Sequence, residues 1–270
     1  MRVFASITPW LPWLKPFLPS LVLLGGKASE LYHGSLLGKS IPSLLVKDTI
    51  FGLERAGKKS QNIHDHLLRL GFQKKTEKTN RGKPNFLLYH REDLGSLCFM
   101  FPQIRSSQSS TSNGLLANPD KGLELLLENP HSVEVKYLDQ IYEVRIPQVG
   151  RFVLNHGLKL RLKKKFDPKE IYLTAMQLIF ILDLLAGNKE LQDEALNDFF
   201  EIRPPVLLRE FRDNLKQNGP GSILWESAQK LYFNLYPTAK IVQLNSWYWE
   251  FQKEIAKVIQ QSKTDSSSQK

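Results

Sequence analysis

The chain has 270 residues, 41% hydrophobic and 24% charged, which suffices to bury a core in one large domain or two smaller ones and excludes disorder of the whole chain. Lys and Arg number 37 against 27 Asp and Glu, a net of +10 that suits a polyanionic partner without naming one. The single cysteine, Cys98, excludes an internal disulfide framework, and no CxxC or Cys/His cluster offers a zinc site. The expected location is cytoplasmic.

From Val3 to Leu24 only Lys15 is charged, yet Pro9, Pro12, Pro16 and Pro19 deny the backbone donors and dihedrals of a signal h-region or a spanning helix. Residues 1–19 read as an irregular proline-rich arm packing Trp10, Trp13 and Phe17 against the body. A membrane-surface anchor is the competing reading, and the prolines oppose the amphipathic helix it needs; no membrane partner is expected.

Leu21 to Leu24 reads as a buried strand broken by Gly25-Gly26, Ala28 to Leu37 as a helix, and Leu44 to Phe51 as a strand interrupted by Lys47-Asp48. Ile63, Leu67, Leu68 and Leu70 mark a short amphipathic helix stopped by Gly71. The polar turn Thr79 to Gly82 then separates two strand-like runs. Phe86 to His90 and Leu97 to Phe101 form a hairpin around Asp93-Leu94-Gly95, and residues 105–114 are a low-complexity loop expected to be mobile. Leu123 to Glu128 is a short helix, and Val133 to Tyr137 with Tyr142 to Ile146 make a second hairpin ending at Pro147. From about Gly150 the period becomes 3.6: Lys169 to Ala186, Glu190 to Phe200, Pro205 to Asn214, Ile223 to Tyr236 and Trp247 to Gln260 read as helices. The expected organisation is the arm 1–19, a mixed α/β domain 20–149, a helical domain 150–262 and a polar disordered tail 263–270.

The charge is concentrated. Residues 55–91 carry ten Lys or Arg against Asp65 and Glu77, and residues 159–169 carry six against Asp167. These two segments account for the whole imbalance.

The run Leu21 to Gly38 (LVLLGGKASELYHGSLLG) resembles the opening of nucleotidyltransferase-like proteins of the DNA polymerase β superfamily, the bacterial minimal nucleotidyltransferase type, in which a strand ends in a glycine pair and a helix carries a small residue and a tyrosine-glycine pair. Gly25, Gly26, Ala28, Tyr32 and Gly34 fill those places. Ser96 to Pro102 (SLCFMFP) resembles a strand that in the family reads apolar, Asp, Phe, Leu, Thr-Pro. Gly122 to Arg161 resembles its helix, hairpin and Arg-Phe junction into a helical half. The resemblance covers roughly residues 20–185 and implies a nucleotidyltransferase-like mixed sheet with helices, followed by an all-helical domain.

In such a fold a glycine turn opening onto a helix N-terminus cradles a triphosphate. Two or three carboxylates on adjacent strands hold the divalent ions that activate a hydroxyl and stabilise pyrophosphate. The resemblance therefore makes Gly25, Gly26, Lys27 and Ser29 candidate nucleotide-binding residues, and Asp48 the candidate catalytic and metal ligand. In that register Ile50 stands in the second carboxylate place; a shorter register puts Ile41-Pro42-Ser43 there and keeps no carboxylate. The third carboxylate falls on Cys98, the lysine expected after His156 is Gly157, and the Lys-Asp pair opening the next helix falls on Glu170 and Ile171. If the two halves close on each other as the resemblance implies, Lys159, Arg161 and Lys163 form a basic cleft over the glycine pair.

Each of these residues also has a plainer reading. Gly25-Gly26 serves equally as a tight strand-to-helix turn, Ser29 as a cap, Asp48 as a solvated strand-end charge, and Lys159 to Lys165 as a solvated basic face. Cys98 reads as a small buried hydrophobe. His64 and His66, two apart, fall on different helix faces and make no shared metal site, and His156 reads as a core or capping histidine. Trp225, Tyr232, Trp247, Tyr248 and Trp249 read as helix-packing residues.

The first functional expectation is a nucleotidyltransferase-superfamily protein with degenerate carboxylates, catalytically impaired or inactive, binding nucleotide or nucleic acid. The second is an active enzyme that transfers NMP from NTP to a protein or RNA hydroxyl with Mg²⁺, using Asp48 and a recruited Asp93 or Glu92. The third is a structural nucleic-acid-binding protein without a nucleotide pocket.

Overall fold

The structure is a computed structural model and describes residues 7–37, 49–53, 58–78, 84–102, 111–112, 115–120, 122–160, 168–202, 206–235 and 241–267. The chain divides into two compact units, residues 1–147 and 148–270.

The first unit is built on an eight-stranded mixed sheet among the described residues. Its strands are β1 (Val22–Leu24), β2 (Thr49–Gly52), β3 (Gln73–Lys78), β4 (Pro84–Arg91), β5 (Gly95–Pro102), β8 (Asn118–Asp120), β9 (His131–Tyr137) and β10 (Gln140–Ile146), while β6 (Thr111–Ser112) and β7 (Leu115–Leu116) form a separate ribbon. The order is β3-β4-β5-β2-β1-β10-β9, with β8 added to β5. Its helices are α1 (Leu11–Leu14), α2 (Gly25–Leu37), α3 (Lys58–Arg69) and α4 (Glu124–Leu127).

All three residues of β1 are buried, as befits an interior strand covered on both faces; β1 runs antiparallel to β2 and parallel to β10. In β10 the alternation is clean: Tyr142, Val144 and Ile146 are buried while Ile141 and Glu143 are exposed, the period-two pattern of a half-covered hairpin. Its two-residue turn, Leu138-Asp139, has φ of 47° and 59°, the double positive φ that matches strand twist in tight hairpins.

Lateral partners share a face of the sheet. Leu23, Phe51 and Phe99 are successive partners on one face, where Phe51 and Phe99 stack at 6.5 Å and Tyr89 meets Phe99 edge-on at 6.0 Å. The amphipathic α3 lays its buried His64 on Tyr89 there. The other face holds Leu24, Ile50 and Gly52. A Cβ at Gly52 would stand 2.6 Å from Leu127 Cδ2, so the missing side chain is what lets the leucines of α4 lie against the strand.

The proline-rich arm folds as two 3₁₀ turns, Thr8–Trp10 and Leu18–Ser20, around α1, with prolines at helix starts where no donor is needed. Trp10 packs on Phe72 at 5.8 Å, and His66 Nε2 meets the Trp13 carbonyl at 2.8 Å. The Arg91 guanidinium lies over both the Trp13 and Phe72 rings, at 4.5 and 5.2 Å.

The second unit comprises α5 (Val149–Lys159), α6 (Pro168–Ala186), α7 (Lys189–Glu201), α8 (Val206–Asn218), α9 (Ile223–Leu235) and α10 (Ile241–Ser267). Helix α5 is its axis: residues Val149 through Gly157 are all buried. Two glycines permit this. A Cβ at Gly150 would stand 2.6 Å from the Ala195 carbonyl of α7, and one at Gly157 would collide with the Phe211 ring of α8. The ends of α5 are satisfied from neighbouring helices. Asp198 accepts from the Gly150 N–H at 2.8 Å, while Asn214 and Asn218 donate to the carbonyls of Gly157, Leu158 and Leu160. Trp225, Tyr232 and Tyr248 are core residues, whereas Trp249 is exposed.

Three sequence expectations change in detail. Helix α2 begins at Gly25, directly after β1, rather than at Ala28. The strand expected over Leu44 to Phe51 is described only as Thr49–Gly52, the residues before it lying outside the described set. Helix α10 continues to Ser267 through the segment expected to be a disordered tail; that segment contains no Pro or Gly to stop it. Most of the loop 105–114 and residues 268–270 lie outside the described set. Among the described residues, no helix is long and apolar enough to cross a membrane.

Candidate functional site

The glycine pair sits where β1 turns into α2 with no connecting residue between them. Gly25 has φ of +63°, a left-handed value that disfavours any side chain, although space itself is not limiting: a Cβ there would be an ordinary 3.6 Å from Ile50 Cδ1. A helix start leaves its first N–H groups without intrahelical acceptors and carries the positive end of the macrodipole. These features of a helix start favour an anion in general; here, in the first turn of α2, Gly25 is half-buried and Gly26 through Ser29 are buried.

Its side chains are turned inward. Ser29 is buried and donates to the Gly25 carbonyl at 3.4 Å, tying the first turn to itself. Lys27 is 5% exposed and Glu30 6% exposed, three residues apart on one helix face. Burial pushes the Glu30 carboxyl up to about 7, against the opposing pull of Lys27. Glu30 Oε2 and Thr49 Oγ1 are buried without a hydrogen-bond partner among the described residues. No hydrophobic period or motif marks Glu30 or Thr49 in the sequence, because their burial follows from the tertiary docking of α2.

Two of the three places that the family resemblance gives to carboxylates come together. Ile50 on β2 and Cys98 on β5 are direct partners on parallel neighbouring strands, and Leu24 partners Ile50 from the other side. Leu24, Ile50 and Cys98 thus form one lateral row ending beside Gly25. The row has no hard-oxygen ligand of the kind Mg²⁺ demands. Cys98 carries a buried thiol, 5% exposed, and its sulfur accepts from Asn118 Nδ2 at 3.2 Å.

Asn118 explains how β5 keeps two neighbours on one side. Beyond Cys98, β4 parts from β5 and β8 takes its place. In the fork Asn118 Nδ2 donates to the Leu87 carbonyl at 2.9 Å and to the Phe99 carbonyl at 3.3 Å, while its Oδ1 accepts from the Leu87 N–H at 2.9 Å. The side-chain amide acts as a strand peptide would. A lone Asn beside Pro119 in the sequence reads only as a turn signal, which is why this role is not apparent there.

Asp48 lies outside the described residues, as do Arg161 and Lys163. Lys159 is exposed in the last turn of α5, in the second unit. Asp93, which an active enzyme could recruit, is gripped at 2.6 and 2.7 Å by Arg91, whose hydrogen bonds, aided by its charge, hold the carboxyl below the usual range. Glu92 is exposed in the same turn. His64 Nδ1 bonds the Tyr89 hydroxyl and His66 bonds the Trp13 carbonyl, so the two histidines serve different contacts. His156 lies between the Phe152 carbonyl and Gln177, at 3.0 and 2.8 Å. Among the described residues no group of three or more His, Cys, Asp or Glu could hold a metal ion.

No family model matches the chain, and no curated protein matches it. Among solved structures, an antigenic nucleotidyltransferase-like protein from Paracoccidioides brasiliensis is similar over 78% of this chain and 95% of that one, at 14% identity and a TM-score of 0.40.

Proposed function

We propose that the chain is a nucleotidyltransferase-superfamily protein that binds nucleotide or nucleic acid without two-metal catalysis. One observation carries the reading. Two of the pieces of sequence that resemble the family, the run opening on Gly25-Gly26 and the strand around Cys98, are far apart in the chain, yet they lie on the lateral row Leu24, Ile50, Cys98, with the strand that follows Asp48 between them. A chance resemblance has no reason to converge in register. The same row supports the loss of catalysis, since an isoleucine and a thiol engaged by Asn118 stand where metal-bridging carboxylates are required. What remains is the glycine-opened start of α2, whose amides favour phosphate oxygens.

Asp48 alone would bind Mg²⁺ weakly and through water, so metal is not required for the binding proposed. Calorimetry with ATP and GTP, with and without Mg²⁺, tests the reading together with transfer of label from α-labelled NTP. The expected result is saturable binding indifferent to Mg²⁺ and no label transferred. Transfer abolished in Asp48→Ala would establish the active enzyme instead, and no binding of either nucleotide would remove the pocket.

A further inference from the structure

We infer that β9 is a dimerisation edge: two copies of this chain join their sheets antiparallel along it, about a two-fold axis through Val135.

Among the described residues β9 pairs with β10 only, so its other edge is open. The two-residue turn Leu138-Asp139 closes on the pair Tyr137 and Gln140. In such a hairpin the closing pair exchanges both hydrogen bonds, and the pattern alternates from there. Val133, Val135 and Tyr137 therefore turn their backbone groups to β10, while Ser132, Glu134 and Lys136 turn theirs outward. Those three are also the exposed residues of the strand.

A second β9 can meet this edge only with outward residues opposite outward residues, which leaves few registers, and charge selects one. About an axis through Val135, Glu134 of each copy faces Lys136 of the other. Val133 then faces Tyr137, a β-branched and aromatic pair at the closer, non-hydrogen-bonded spacing. Moving the axis to Glu134 sets that carboxylate against its own copy, and moving it to Lys136 does the same for the ammonium, so both neighbouring registers are disfavoured.

The hairpin by itself leaves these charges poorly matched. Glu134 stands directly opposite Glu143 on β10, a like-charge pair that works against the hairpin, and it makes no ion pair among the described residues. Lys136 stands opposite Ile141 and reaches Asp139 of the turn at 3.7 Å, with both charged side chains exposed. The same hairpin exposes two large apolar side chains, Leu138 at 72% and Ile141 at 63%. In the paired register Leu138 comes beside Ser132 of the second copy, which takes apolar surface from water. Lysines on a free edge normally guard against such pairing by repelling their like; here the two-fold exchange of Glu134 and Lys136 turns that repulsion into attraction. The pairing uses up the β9 edge of each copy, so it closes at two.

Sedimentation velocity on the full chain over a concentration series tests the edge, with Glu134→Lys, Lys136→Glu, an equimolar mixture of the two variants, and thermal melts to verify folding. The wild type is expected to show a monomer–dimer equilibrium. Either reversal alone sets like charges opposite each other at both contacts and should weaken the dimer by about tenfold or more. Mixing the two variants brings opposite charges back to both contacts and should restore it. A wild type that stays monomeric at the highest concentration reached, a dimer that neither reversal weakens, a mixture no better than its components, or growth beyond two copies would each overturn the proposal. If a reversal fails to fold, Glu134→Gln and Lys136→Gln give the same comparison, with one of the two contacts recovered in their mixture.

Discussion

His64 Nδ1 and the Tyr89 hydroxyl share a buried hydrogen bond of 2.6 Å. The Leu116 N–H also donates to the Tyr89 oxygen, at 3.0 Å, and a neutral His64 can take the phenolic proton's hydrogen bond at Nδ1. Burial, assisted by Lys74 and opposed by Asp65, lowers the His64 pKa from its ordinary 6.5. The unfolded chain therefore binds the proton at higher pH than the folded one. Stability from this pair is fully present above about 6.5 and is lost as pH falls below it. Thermal melts from neutral to mildly acidic pH should show a falling midpoint in the wild type and a flatter profile in His64→Gln.

Glu30 has the opposite sign. Its carboxyl is raised from 4.5 to about 7, so the folded chain holds a proton that the unfolded chain releases, and stability declines as pH rises through that interval before levelling off. Glu30→Gln keeps the shape and removes the ionisation. The variant should gain in melting temperature over the wild type between acidic and neutral pH, and a gap that does not change with pH would contradict the assignment.

Asn118→Leu should cost about 2–3 kcal/mol, because it orphans the Leu87 N–H and carbonyl at the fork between β4 and β5. Asn118→Asp keeps the acceptor for the N–H but sets an oxygen against the Leu87 carbonyl, and should be no better. Urea denaturation measures both.

Gly157→Ala gains helix propensity of about 1 kcal/mol yet drives a methyl into the Phe211 ring, an overpacking that typically costs about 1–3 kcal/mol. A net loss is expected, recovered when Phe211→Leu is combined with it. Non-additivity in that double-mutant cycle is the readout.

Restoring carboxylates tests the row beside Gly25. Cys98→Asp alone buries an acid and should destabilise by about 2 kcal/mol or more. With Ile50→Asp added, millimolar Mg²⁺ or Mn²⁺ should raise the melting temperature of the double variant and of neither single one. A double variant indifferent to metal would show that these positions do not converge as described.

The periodic parts of the fold are legible in the sequence. The strand before Gly25, the two hairpins and the five helices after residue 150 announce themselves through alternation or 3.6-residue spacing. The burial of Trp225, Tyr232 and Tyr248 follows from the same pattern. What stays hidden depends on partners distant in the chain. Arg91 counts as one more cation in a basic stretch until Trp13, Phe72 and Asp93 surround it. Lys27 and Ser29 read as groups facing a ligand, and the docking of α2 buries both. The pairing of Ile50 with Cys98 is a matter of register, which no local pattern encodes.

The direct passage from β1 into α2 has a thermodynamic corollary. Strand β1 is clamped between β2 and β10, and no intervening residue separates it from the first turn of the helix. The amides there have no slack. An anion arriving at them meets donors whose ordering was completed when the sheet formed, so association should proceed with little conformational entropy loss in the protein. Free and bound forms should then share one backbone conformation at Gly25 through Ala28, while exchange of the amides that gain the anion as acceptor slows.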